Sequence, residues 1–195
     1  MADGVRTSGE RAVALATPRL TLREFREDDW SSALVWESDP EVARHRGDDV
    51  NTDPEVARSN IARAIAYQSA PPRTRFVLAV VPTGAERPIG WVMLKITDSA
   101  NREAEIGWTI ARAWQGRGYA TEGARALLGF AFGDLGLHRV VAMAHAENAA
   151  SERVMRKLGM RREGCFVEQE WAKGAWWDIV LYAILDREWR EGAGA

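Results

Sequence analysis

Apolar and polar positions alternate over Arg19–Phe25 (R-L-T-L-R-E-F), the two-residue period of a strand with one buried face. Three further apolar runs follow later, at Phe76–Val81, Ile89–Ile96 and Ala104–Ile110, separated by P-T-G-A-E-R-P and S-A-N-R-E. Short apolar runs broken by turn residues predict a meander of three antiparallel strands. Between the first strand and the meander, Asp39-Pro40-Glu41 and Asp53-Pro54-Glu55 each place a capping carboxylate ahead of a proline, the signature of a helix start. After the second of these, Val56, Ile61, Ile65 and Tyr67 recur in a helical pattern.

From Thr121 the period changes. Ala124, Leu127, Leu128, Ala131 and Leu135 fall at helical spacing, and Gly136 is a natural stop. His138–Ala146 is a near-continuous apolar run, as expected for a strand buried on both faces. Asn148 then caps a helix with Ala150, Val154 and Leu158 on one stripe and Gly159 at its end. Cys165–Trp171 and Trp176–Leu185, joined by A-K-G, read as a final hairpin. The order predicts an α/β (α+β) fold: a mixed, mostly antiparallel sheet of about seven strands flanked by helices. No repeat or linker divides it, so one domain is expected over residues 1–195, with tails at about 1–14 and 190–195.

Composition narrows the function classes. With 46% apolar and 28% charged residues, the 195-residue chain is an ordinary globular sequence. Its net charge of −2 advertises neither nucleic-acid nor membrane binding. No apolar run approaches a membrane span, the N-terminus does not read as a signal peptide, and the lone Cys165 fits a reducing compartment. A cytoplasmic protein is expected. Nine tryptophans are many for this length and fill the core or line a pocket or interface; a self-paired dimer through a Trp-rich edge is one expectation. Trp176 and Trp177, neighbours in a strand, must point to opposite faces.

The stretch W-Q-G-R-G-Y-A-T-E-G (Trp114–Gly123) lies between a strand and a helix. It is not a phosphate-binding loop of the G-K-[ST] type, because Gly118 is followed by Tyr119 and Ala120. Nor is it a dinucleotide fingerprint, whose third glycine would fall on Thr121. What remains is a run of free N–H groups on the positive end of a helix dipole, an anion cradle with Arg117 beside it.

Gln115-x-x-Gly118-x-Ala120, after a meander and opening a helix, resembles the pyrophosphate loop Q/R-x-x-G-x-G/A of the GNAT acetyltransferases. Asn148–Met160 resembles that family's next helix, which ends in K-x-G-F or a close variant. Thr17–Arg23 and the W-W-D-I-V-L-Y-A-I-L ending resemble the branch that acetylates the α-amines of ribosomal proteins. The resemblance spans roughly residues 17–187. It implies two central parallel strands, Ala104–Ile110 and Val140–Ala146, splayed into a V that holds acetyl-CoA. Trp108, Thr109 and Ile110 would pair with the pantetheine, and Gly116, Arg117, Gly118, Tyr119 and Ala120 would hold the diphosphate. Asn148 would cap its helix, contact the pantetheine, or both.

The implied reaction is direct attack of an amine on the thioester, with no metal. Many relatives carry a tyrosine that protonates the thiolate; here Met155 stands in its place. Ser151, one turn earlier, matches a serine of the ribosomal-protein branch and offers a hydroxyl donor. Glu170 matches that branch's glutamate base, with Glu105 or a water relay as the alternatives. His138 and His145 are expected to be structural, His45 lies in a charged helical segment, and the three show no metal-ligand spacing. The acceptor is a protein N-terminal amine or a small-molecule amine, an amino-bearing antibiotic among them. A non-catalytic acyl-CoA-binding module is the alternative from another class.

Overall fold

One mixed sheet of eight strands organises the chain in a computed structural model, which describes residues 12–193. The strands are β1 (Ala14–Ala16), β2 (Leu20–Glu24), β3 (Arg75–Pro82), β4 (Gly90–Asp98), β5 (Glu103–Ile110), β6 (Arg139–His145), β7 (Arg161–Ala172) and β8 (Ala175–Leu185). Their spatial order is β1-β2-β3-β4-β5-β6-β8-β7, and only β5 and β6 run parallel. The helices are α1 (Trp30–Glu37), α2 (Pro40–Ala43), α3 (Pro54–Gln68), α4 (Tyr119–Gly133), α5 (Ala149–Lys157) and α6 (Asp186–Ala193). None of the described helices is long and apolar enough to cross a membrane.

The strand beyond the expected seven is β1, whose three residues A-L-A are too few to show a period. Together with α6, it takes ordered structure into the stretches expected as tails; residues 1–11 and 194–195 lie outside the described residues. Both Asp-Pro caps form as read. Asp39 Oδ1 accepts from Glu41 N and Asp53 Oδ1 from Glu55 N, each at 2.9 Å. Helix α3, however, buries Ala57, Ile61 and Ala64, and Val56 points to solvent. Small residues let this helix lie close to its neighbours, and a reading that counts only large apolar side chains misses that face.

Two cores sandwich the sheet. On one face α4 packs Ala124, Leu127, Leu128 and Ala131 against Val80, Val92, Leu94, Ile106 and Val140. On the other, Trp36 of α1 and Ile61 of α3 cover Ala79 and Val81 with Phe25 and Ala111. Burying each leucine stabilises the fold by about 1.5–3 kcal/mol. In the final hairpin Lys173 and Gly174 both have positive φ, the two-residue turn that suits strand twist. Trp177 is buried and Trp176 exposed, so the neighbours do face opposite ways.

The feature that positions the site is an interrupted ladder. β5 and β6 pair only at Glu103↔Arg139, Ala104↔Val140 and Glu105↔Val141. Beyond that, β5 stays registered with β4 as far as Ile110 and β6 with β8 as far as His145. Each strand is held on its outer edge, so the inner edges part and a V opens. Its apex is clamped by Arg139, which donates to Glu103 Oε2 (2.8 Å) and to both oxygens of Glu163 (3.0 and 2.5 Å). Glu163 also accepts from Arg161 Nη2 at 2.5 Å. These guanidinium hydrogen bonds, that of Arg139 foremost, outweigh burial and hold the Glu163 carboxyl down at about 2.

Candidate active site

At the open end of the V the chain leaves β5 through a single 3-10 turn, Arg112–Trp114, and enters α4. Gln115 Nε2 donates to Ile110 O at 2.9 Å and braces the turn against the strand end. Gly116 (φ 75°) and Gly118 (φ 84°) are left-handed, a conformation that costs other residues about 1–2 kcal/mol. The amides from Gly116 to Thr121 donate to no partner among the described residues, and Glu122 N is the first to close, on Gly118 O at 3.0 Å. Six consecutive free N–H groups therefore stand at the N-terminus of a 15-residue helix.

The turn between β1 and β2 secures this loop. The Glu122 carboxylate of α4 accepts from Thr17 Oγ1 (2.7 Å), Arg19 N (3.0 Å) and Arg19 Nε (2.7 Å). Burial alone would raise its pKa, but the hydrogen bonds from Thr17 and Arg19 outweigh burial and lower it. Arg19 Nη1 donates to Arg117 O at 3.0 Å, and the guanidinium lies 4.9 Å from the Tyr119 ring centroid. Sequence reasoning gave Arg19 no such role, because its partners lie about a hundred residues away.

A groove of about 410 Å³ runs from the V to this loop. Trp108, Thr109 and Ile110 line one side, and Gln115, Gly116, Gly118, Tyr119 and Ala120 the end. Of the residues expected at the cofactor, only Arg117 is absent from the lining. Its guanidinium folds back onto Ala113 O (3.1 Å) and the Trp114 ring. Four cations that the sequence did not single out, Arg44, Arg46, Arg153 and Lys157, line the groove as well. The four-residue spacing of Arg153 and Lys157 on α5 was the one available signal.

Helix α5 lines the groove from its N-cap to its last residue, Lys157. Asn148 Oδ1 accepts from Ser151 N at 3.0 Å, and this cap leaves Ser151 in the lining. The buried stripe is Met155 and Leu158, while Ala150 is exposed and lines the groove, contrary to the expected Ala150–Val154–Leu158 stripe. The helix is anchored by its C-terminal half. Met155 is thus a core residue where relatives are expected to carry a tyrosine.

Glu170 lies elsewhere. With Glu105 it lines a second cavity of about 520 Å³, alongside Met143, Phe166 and Trp177. Three residues of β7, Val167–Gln169, bulge opposite Asp178 of β8, with Glu168 at φ 49° and its N–H bonded to Asp178 Oδ1 at 2.8 Å. The bulge breaks the alternation that would have put Glu168 and Glu170 on one face: Glu170 lines the chamber and Glu168 does not. A side chain at Gly47 would collide with Glu170 Oε1, so the loop after α2 lies directly over this carboxylate. No Lys or Arg among the described residues lines the chamber.

His45 lines both cavities, and its Nδ1 lies 3.2 Å from Nδ1 of His145, which lines the chamber. The His145 ring packs on Trp177 with centroids 4.3 Å apart. Burial first, then the neighbouring His145 and Arg44, lower the His45 pKa and so favour the neutral imidazole. The pair joins residues a hundred positions apart, and nothing local in the sequence announces it.

Comparison with known proteins gives a consistent result. Residues 19–161 match the acetyltransferase (GNAT) domain family. The chain is 33% identical over 175 residues to an uncharacterized N-acetyltransferase, YnaD, of Bacillus subtilis (strain 168), covering 90% of this chain and 98% of that protein. It is 37% identical over 100 residues, 51% of its own length and 55% of the relative's, to a putative ribosomal N-acetyltransferase, YdaF, of the same organism. Among solved structures, a GNAT-family acetyltransferase from Bacillus anthracis superposes with a TM-score of 0.79 at 30% identity, covering 90% of this chain and 99% of that one.

Proposed function

The chain belongs to the GNAT acetyltransferase family, and from that premise we propose that it moves the acetyl group of acetyl-CoA onto a primary amine held between Glu105 and Glu170, in the first place the N-terminal α-amine of a protein. The observation that carries this reading is the run of six amides, unpartnered among the described residues, at the end of a groove lined by four cations. A diphosphate and a third phosphate fit that donor set, and a neutral ligand would leave it uncompensated.

When bound, acetyl-CoA supplies an acyl carbon activated as a thioester. The free inner edge of β5 near Trp108 and Thr109 offers main-chain groups to an extended arm. The Ile110 carbonyl already accepts from Gln115, so this pairing ends before it. Gly116 to Ala120 hold the diphosphate through their N–H groups, with Arg117 acting through its backbone alone. The Ser151 hydroxyl donates to the departing sulfur, a task Met155 cannot perform. Asn148 keeps Ser151 in place through the cap.

The chamber selects the acceptor by charge. Two carboxylates and an indole, with no Lys or Arg in the lining among the described residues, attract an ammonium and repel a nearby carboxylate. A free amino acid carries that carboxylate; a peptide N-terminus does not. An α-amine, with a pKa near 7.7–8.0, is already roughly a tenth to a fifth neutral at pH 7, whereas a lysine near 10.4 is neutral about four times in ten thousand. An α-amine therefore needs less help to lose its proton.

The test is thioester consumption with acetyl-CoA and a panel of N-terminal peptides, their N-terminally blocked forms, free amino acids, polyamines and amino-bearing antibiotics. Turnover on free but not blocked peptides supports the reading. Turnover confined to antibiotics moves the acceptor to a small molecule. Coenzyme A binding by calorimetry with no turnover on any amine would place the chain among non-catalytic modules, and no binding would overturn the groove assignment.

A further inference from the structure

We propose that His145 is the group that takes the acceptor's proton, and that His45 is its positioning partner; the proposal rests on the acetyltransferase reading above. Both rings line the chamber that holds Glu105 and Glu170, and His45 also reaches the cofactor groove. The pair thus stands where the amine and the thioester must meet.

The geometry is that of a direct hydrogen bond. The ring centroids are 5.4 Å apart and the Nδ1 atoms 3.2 Å apart. The difference is about the sum of two imidazole radii, so the rings meet head-on, as a linear N–H···N bond requires. Two nitrogens binding one metal ion would instead aim at a third point and bring the centroids closer. One Nδ1 must then carry a proton and the other accept it. Burial and then the imidazole and cationic neighbours of His45 disfavour its charged form, which suits it to accept. With His145 Nδ1–H donating to His45, the free lone pair of His145 is on Nε2, on a ring fixed against Trp177.

The charged groups around the pair are Glu41, Arg44 and Arg46 from α2 and the segment after it, Glu105 of β5, Glu147 after β6, Glu170 of β7, Lys173 of the hairpin turn and Asp178 of β8. The two chamber carboxylates attract the ammonium. As a residue type, an imidazole is a closer match in basicity to an α-amine than a carboxylate is. In the step proposed, Nε2 of His145 first takes the ammonium proton, which frees the nitrogen lone pair to attack the thioester carbon. As the C–N bond forms and the C–S bond breaks, the thiolate takes its proton from Ser151, and the second proton lost by the nitrogen returns to the Ser151 oxygen. The new imidazolium strengthens its Nδ1–H bond to His45 and releases its Nε2 proton to solvent when the product leaves.

The test has two readouts. In the ¹⁵N-labelled protein with coenzyme A at pH 8, long-range imidazole spectra should show His145 protonated at Nδ1 and bare at Nε2, with His45 bare at Nδ1. In acetyl transfer to a peptide with a free N-terminal alanine, His145→Gln should lower kcat about 100-fold or more and remove the acidic limb of the pH profile, with KM for the peptide within threefold. His45→Gln should cost about tenfold and shift that limb without removing it. Glu170→Gln should raise KM and keep the limb. His145→Gln retaining kcat within twofold with the limb in place would overturn the proposal, as would a proton on His145 Nε2 or one equivalent of zinc co-purifying on the pair. If coenzyme A binds and no amine is acetylated, the acceptor reading falls while the spectra still decide the state of the pair.

Discussion

Replacing Glu163 by Gln removes the acceptor at the centre of the cluster that closes the V. Its carboxyl, held at about 2 against an ordinary 4.5, carries roughly 3 kcal/mol of preference for the ionised form. The side chain is 25% exposed, so solvent screening reduces the net contribution to about 1–2 kcal/mol. For a chain of this size that corresponds to a loss of about 3–6 °C in Tm. The sign follows from linkage. The folded-state pKa is depressed, so the stabilisation is complete above the unfolded value and is lost as pH falls toward 2. By pH 3.5 roughly three-fifths of it remains. Urea unfolding of both proteins at pH 7 and pH 3.5, followed by tryptophan fluorescence, measures this directly. The gap between them should be about 1–2 kcal/mol at pH 7 and clearly smaller at pH 3.5. Equal stability at pH 7, or a gap indifferent to pH, would show that the clamp is ornamental and that the ladders on either side set the apex.

Three further outcomes are expected. Gly118→Ala forces a side chain into φ 84° beside Arg19, so coenzyme A affinity should fall about 5–30-fold by calorimetry; an unchanged Kd would show that the loop amides do not hold the anion. Ser151→Ala should lower kcat about 100-fold and leave coenzyme A binding within twofold, and a full-rate variant would remove the hydroxyl from the mechanism. Glu105→Gln should raise KM for the amine several-fold with KM for acetyl-CoA unmoved; an effect on the donor instead would mean that chamber and groove have been assigned the wrong way round.

Much of the fold was legible because it is written in local rules. The period-2 run of β2, the turn-bounded apolar runs of the meander, the Asp-Pro caps of α2 and α3, the glycines entering α4 and the Asn148 cap of α5 depend on residues within a turn or two of one another. The same holds for the anion cradle, since the left-handed turn at Gly116–Gly118 and the helix start that follows are local backbone facts. By itself, then, the sequence determined the element order, the mixed sheet, the cradle and the helix bearing Ser151. Only the tertiary structure decided which side chains face the amine. The β7 bulge separates Glu170 from Glu168, Arg19 reaches a loop about a hundred residues on, and His45 meets His145 at the boundary of groove and chamber. Those placements come from strand pairing and layer packing between distant segments, where periodicity carries no information about which side chain meets which.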